Sequence, residues 1–290
     1  MASFLRRHKR VIPYLLLAPG LLWLALFYLA PSVQMFVSSF WSGTLETGFA
    51  FALSNITNYT QALTRFQPQF VRSILFGGLA TMLTFLIAYP LAYTIAFRGG
   101  RYKNLLLFLV VAPFFTSFLL RTVSWKIILG DTGILLGPLK GIGILPEEFR
   151  LLATPIAVVS GITYNFLPFM TLPIYVSLEK VDKRLVEAAQ DLYASRFVAF
   201  RRITLPLSLP GVFAGSLLTF IPAVGDYINA ELLGNPDTTM IGNVIQNQFL
   251  TQNNYPTASA LSFLLMAGIL IAVGVYARLL GTEELTAGGV

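Results

Sequence analysis

There is no cysteine in the 290 residues, and only one histidine. Without cysteine, neither a disulfide nor a thiolate metal site is available. The lone His8 sits in a run of basic residues, where solvation accounts for it. Charge is scarce as well. Only 11% of residues are Asp, Glu, Lys or Arg, against 56% hydrophobic, and mean hydropathy is +0.72. That balance excludes a soluble globule. Catalytic signatures are also missing. No lysine follows a glycine, so there is no P-loop to hold ATP, and neither H-E-x-x-H nor G-x-S-x-G occurs. The apolar runs offer mostly Thr, Ser and Tyr as polar groups, so we expect no enzyme and no cofactor or metal bound by this chain.

What the chain has is length without charge. Residues 73–97 and 151–178 carry no charged side chain, and about 20 apolar residues suffice to cross a bilayer. We expect an all-α polytopic membrane protein, a single domain over 1–290. Its six transmembrane helices are expected at about 11–31, 73–97, 104–120, 151–178, 203–225 and 257–277. A basic start before an apolar run also marks a signal peptide, whose core is about 7–15 residues. Here the uncharged run continues past Ala30, with Trp23 and Tyr28 inside it, which predicts a retained helix.

Six spans place both termini on one side, and the basic residues say which. Fourteen of the 20 lie at 6–10, 98–103, 180–202 and 278; the other side holds Arg65, Arg72, Arg121, Lys126, Lys140 and Arg150. The bias makes both termini and the loop at 179–206 cytoplasmic. The net charge of +7 is thus a topology signal, and no nucleic-acid partner is implied. Residues 31–72 form a polar-aromatic connection whose sequons at Asn55 and Asn58 read as chance matches. Residues 127–139, interrupted by Asp131, are too short to span and are expected along the interface. Prolines recur within the runs, among them Pro90, Pro113, Pro168, Pro173, Pro210 and Pro222. Such breaks are tolerated at membrane depth where a neighbour or a cavity re-satisfies the carbonyls. Gly211 and Gly215 offer a small-residue face for close helix packing.

The most informative stretch is the charged island at 179–206. Leu185, Ala188, Ala189 and Leu192 recur at helical spacing, making one stripe with a low middle. Glu187 and Asp191 lie one turn apart on its flank. Ile203, Leu205 and Pro206 then lead straight into an apolar run. Such an order suits a docking element better than a solvated loop.

Glu187-Ala188-Ala189 followed by Ile203-x-Leu205-Pro206 resembles the EAA signature of permease subunits of binding-protein-dependent ABC importers. The stretches LPFMTLPIYVSLEKVD, TLPLSLPGVFAGSLLTFIPAVGDYINAELLG and MIGNVIQNQF resemble the spermidine/putrescine permeases of the PotB/PotH type. The resemblance implies a type I importer permease fold in a bacterial inner membrane. It also implies a docking loop (Glu187, Ala188, Ala189, Asp191, Leu192, Tyr193, Ile203, Leu205, Pro206) that seats on a dimer of ATP-binding subunits. ATP and Mg would be held by those subunits. A second homologous permease subunit and an extracytoplasmic substrate-binding protein complete the implied assembly in the lipid bilayer. The family usually has glycine where this chain has Tyr193, and the ring is expected to alter the bend between the two short helices. For a polycationic cargo, Asp226 and Glu231 are the candidate carboxylates and Tyr227, Tyr164 and Trp125 the candidate aromatic faces, with Asn165 beside them. The plainer reading puts both acids at the outer interface, solvated or paired with Arg121 or Lys126. The EAA signature is common to importers of iron(III) chelates, sulfate-like anions and sugars, so it leaves the cargo open. A secondary transporter would share the composition but would need no such loop.

Overall fold

Local chemistry accounts for most of the helix breaks. The computed structural model describes residues 12–280; the basic cluster at 6–10, His8 and the acidic Glu283 and Glu284 lie outside the described residues. The chain divides into two units, Met1–Arg65 with Asn247–Leu264, and Phe66–Gln246 with Leu265–Val290.

In the first unit, α1 (Ile12–Leu24) runs through a π turn (Ala25–Leu29) into α2 (Ala30–Ser38). Pro31 has no N–H and its ring crowds the carbonyl four residues back, so the preceding turn widens. Ala30 N–H accordingly reaches Ala25 O. Leu16, Leu22 and Tyr28 are exposed along this run. A hairpin follows, β1 (Trp41–Thr44) against β2 (Gly48–Phe51), antiparallel, with Trp41 opposite Phe51. The sequon asparagines are occupied internally: Asn55 Nδ2 donates to Phe40 O at 2.8 Å, and Asn58 Nδ2 to Ser39 O and Trp41 O at 2.9 Å.

The chain then enters α3 (Thr57–Arg98), which departs from helical geometry at Phe66. The third expected span, 104–120, falls on two helices, α4 (Lys103–Val111) and α5 (Phe118–Leu129), joined by a 3-10 turn (Ala112–Phe115) and bent by 95°. Pro113 removes a donor here, and Thr116 and Ser117 both take ψ of 140°. The expected interfacial piece at 127–139 is likewise divided. Its start belongs to α5, the chain turns at Gly130–Gly133, and α6 (Leu136–Gly141) begins afresh. By length and composition five helices can cross a membrane, six with the bent pair counted as one. Apart from the hairpin the protein is all-α and polytopic.

The core of the second unit is the contact between α7 (Pro155–Glu179) and α10 (Leu205–Val224). Small residues let the backbones approach. A Cβ on Gly211 would lie 2.4 Å from Pro173 O, and one on Gly215 would lie 2.9 Å from Met170 Sδ. Gly211→Ala is therefore expected to destabilise by about 1–3 kcal/mol through overpacking. Gly268→Ala, whose Cβ meets nothing within 4 Å, should be neutral or slightly stabilising. Melting midpoints of the two variants in detergent check this; equal midpoints would contradict it.

The remaining elements are α8 (Lys183–Asp191), α9 (Arg196–Ala199), α11 (Ile228–Leu233), α12 (Ile241–Gln246) and α13 (Tyr255–Leu280).

Candidate functional site

The charged island folds as two short helices with an uncovered apolar face. Asp182 caps α8, accepting from Arg184 N at 2.9 Å, and Ser195 caps α9, accepting from Val198 N at 3.3 Å. Glu187, Ala188 and Asp191 are exposed, and Ala189 is half-buried. Leu185, Leu192 and Tyr193 are 49%, 81% and 99% exposed, as is Phe197 at 69%. Among the described residues nothing covers these side chains, although burying a Leu or Phe is worth about 1.5–3 kcal/mol. Phe197 was missed by sequence reasoning. It belongs to the next short helix, outside the periodic stripe.

Tyr193 forms that turn. It has φ of +61°, the left-handed conformation that glycine adopts without penalty. Ala194 N–H donates to Ala189 O at 3.0 Å and Tyr193 N–H to Gln190 O at 2.9 Å, closing the helix end. The ring thus occupies a glycine-type turn. The conformation costs a non-glycine residue about 1–2 kcal/mol. Tyr193→Gly should relieve that strain, raising the melting midpoint, while removing the most exposed ring of the surface. Melting and ATPase pull-down measured on the same variant separate the two effects. An unchanged midpoint would contradict the strain.

Ile203, Leu205 and Pro206 are half-buried at the base of the loop rather than on its exposed face. The segment 200–204 is a π turn in which Leu205 N–H reaches Phe200 O. Pro206, lacking an N–H, stands in the same relation to it as Pro31 to the earlier π turn. Phe200 packs edge-on against Tyr89 and Tyr93 of α3, with centroids 5.8 and 6.1 Å apart. Tyr89 Oη and Ser208 Oγ are 2.8 Å apart, joining α3 to α10. Lys103 bonds Glu179, tying α4 to the end of α7. Motion of the loop would therefore reach α3, α7 and α10 through specific contacts.

The second cluster lies inside the helices. After α10, Gly225 and Asp226 turn the chain into α11, which returns along α7 toward its N-terminus. Asn229 meets Asn165, and Leu233 O accepts from Ala153 N at 2.9 Å. Gly161 permits this approach, since a Cβ there would stand 2.7 Å from Asn229 Oδ1. Asn229 Oδ1 accepts from Asn165 Nδ2 at 3.1 Å and Thr122 Oγ1 at 3.4 Å. Its backbone N–H and its Nδ2 donate to the two oxygens of Asp226 at 2.8 and 2.7 Å. All four side chains are buried, and Asn165 Oδ1 has no hydrogen-bond partner among the described residues. Irregular backbone at this depth is tolerated where protein or a cavity satisfies it; Asp226 does that for α11.

The expected path residues separate. Asp226 and Asn165 join through Asn229. Trp125 and Tyr164 meet edge-on at 5.3 Å. Glu231 is exposed and accepts from Asn243 Nδ2 at 3.2 Å, and the same amide donates to the Tyr227 carbonyl at 2.8 Å. The plainer expectation is corrected for Asp226, which is buried, whereas Glu231 is exposed; among the described residues neither acid pairs with Arg121 or Lys126.

The profile of the family described as "Binding-protein-dependent transport system inner membrane component" matches residues 85–280. The chain is 42% identical, over 88% of its length and 90% of the relative's, to the spermidine/putrescine transport system permease protein PotB of Haemophilus influenzae. It is 35% identical, over 87% of its length and 92% of the relative's, to the protein of the same description from Escherichia coli K12. Its fold is similar to a chain in the crystal structure of a bacterial ABC transporter that imports the acidic polysaccharide alginate. There the TM-score is 0.75 at 20% identity, covering 96% of this chain and 98% of that one.

Proposed function

The chain belongs to the family of binding-protein-dependent transport system inner membrane components, and from that premise we propose that the importer it serves carries polyamines of the spermidine and putrescine type. It is a permease subunit of an ABC importer, a multi-pass protein of the bacterial inner membrane and a transporter component rather than an enzyme. The observation that carries the cargo assignment is 42% identity along nearly the whole chain to a relative named as a spermidine/putrescine permease.

In this reading a dimer of ATP-binding subunits seats on the face made by Leu185, Glu187, Ala188, Leu192, Tyr193 and Phe197. ATP and Mg bind to those subunits and to nothing in this chain. Their closure moves α8 and α9, and the Phe200 contacts and the Lys103–Glu179 pair carry the motion into α3, α7 and α10. An extracytoplasmic binding protein delivers the cargo, and a second homologous permease subunit completes the path. The two packed states then alternate access. The buried Asp226 carboxylate and the rings of Tyr164 and Trp125 supply what spaced ammonium groups need, a negative charge and aromatic faces.

Uptake by the reconstituted complex tests the reading. ATP-dependent accumulation of labelled spermidine, competed by putrescine, is expected. Accumulation of sulfate, sugar or iron(III) chelate without polyamine uptake would overturn the cargo and leave the importer class intact.

A further inference from the structure

Among the described residues Arg121 is a buried cation without an anion. It lies on α5, just after the sharp break that follows the 3-10 turn, and only 8% of it is exposed. Its Nε and Nη1 are buried with no hydrogen-bond partner. Phe114 and Phe118 flank the guanidinium, with centroids 5.7 and 5.6 Å from Cζ. Ring faces attract a cation but offer no acceptor oxygen to its N–H groups. Arginine cannot escape by losing its proton, and charges inside a membrane protein almost always pair or face a cavity.

The described residues supply no counter-charge. Among the described residues the ion pairs join Lys103 to Glu179, and Lys140 and Arg150 to Asp131; none involves Arg121. Asp226 is engaged by Asn229, and Glu231 by Asn243. Depth narrows the remaining sources. Thr122, the next residue, bonds Asn165, which lies roughly ten residues along α7 from Pro155 and so about 15 Å below the outer end of that helix. A phosphate headgroup belongs at the end of the helix, and a soluble binding protein lies beyond it. A polyamine cargo, on the reading above, carries the wrong sign.

We propose that Arg121 is an inter-subunit ion-pair site, completed by an Asp or Glu carboxylate from a membrane span of the second permease subunit. The planar guanidinium suits a carboxylate in bidentate geometry. The aromatic walls at Phe114 and Phe118 exclude water from the pair, and the break at 116–117 sets the guanidinium in the elbow of the bent helix pair. Removing one partner of such a pair leaves an uncompensated buried charge on the other.

The test uses the whole importer, co-expressed and purified through the ATPase, with Arg121→Lys, Arg121→Gln and Arg121→Glu. The readout is the ratio of second permease subunit to this chain, measured without substrate, so that a wrong cargo assignment does not affect it. Capture of this chain by the ATPase scores its folding. Arg121→Lys is expected to keep most of the second subunit, Arg121→Gln to lose part of it, and Arg121→Glu to lower the ratio at least tenfold. One Asp→Lys or Glu→Lys change in a span of the second subunit should restore the Arg121→Glu complex. A wild-type ratio in Arg121→Glu would overturn the proposal. So would equal loss in Arg121→Lys, which would mark a steric role. Rescue by added phosphatidylglycerol in place of the charge swap would assign the anion to lipid and also overturn it. A wild-type complex active without any second permease chain would overturn both this proposal and that part of the assembly.

Discussion

Glu187→Lys should lower ATP-driven uptake at least tenfold without preventing insertion of the chain. Glu187 is exposed on α8 and makes no ion pair among the described residues, so the substitution costs the isolated subunit little. Its effect falls on the docked state. Beside the low surface of Ala188 and Ala189, a lysine puts a positive charge where a basic partner surface would meet a negative one. Like charges brought together across an interface cost several kcal/mol, and each 1.4 kcal/mol is about tenfold in affinity. The measurement is ATPase retention on the purified complex together with uptake in proteoliposomes. Glu148→Lys, an exposed change in the segment before α7, serves as the control and should retain both. Normal retention and transport in Glu187→Lys would remove the docking assignment.

The second large effect is expected at Asp226, where two substitutions separate charge from hydrogen bonding. Asp226→Ala leaves Asn229 with two buried donors and no acceptor, and each unsatisfied group costs about 1–3 kcal/mol. The start of α11 should loosen, with a clear fall in the melting midpoint and in assembly. Asp226→Asn keeps one acceptor oxygen for one of those donors and removes the negative charge. Its melting midpoint should fall less than that of Asp226→Ala, and spermidine uptake by the assembled complex should be about tenfold slower, if the carboxylate attracts the polycation. Kinetics of both variants decide the matter. Unchanged uptake in Asp226→Asn would confine Asp226 to anchoring α11 and leave the cargo resting on the similarity to named relatives.

Features that depend on neighbouring residues alone were legible in the sequence. Charge-free runs, the asymmetry of basic residues and the stripe of Leu185, Ala188, Ala189 and Leu192 follow from transfer energy and helical period, which need no partner segment. Proline positions announced breaks without saying how large they would be. Pro113 precedes a 95° bend, whereas Pro168 and Pro173 sit inside one helix, α7. The difference lies in what receives the freed carbonyls, and neighbouring packing decides that.

The sequence by itself thus determined the class of the protein and the amphipathic stripe of the short helix at 183–191, because those rest on local hydropathy and periodicity. Only the tertiary structure decided that Asn229, Asn165 and Thr122 form one buried cluster, since their segments are 64 and 43 residues apart and meet through the glycine-permitted approach of α11 to α7. It also decided that Asp226 faces inward to Asn229, that Arg121 is buried without an anion among the described residues, and that Tyr193 occupies a left-handed turn. Burial and backbone strain are properties of a site, and a site exists once distant segments have packed.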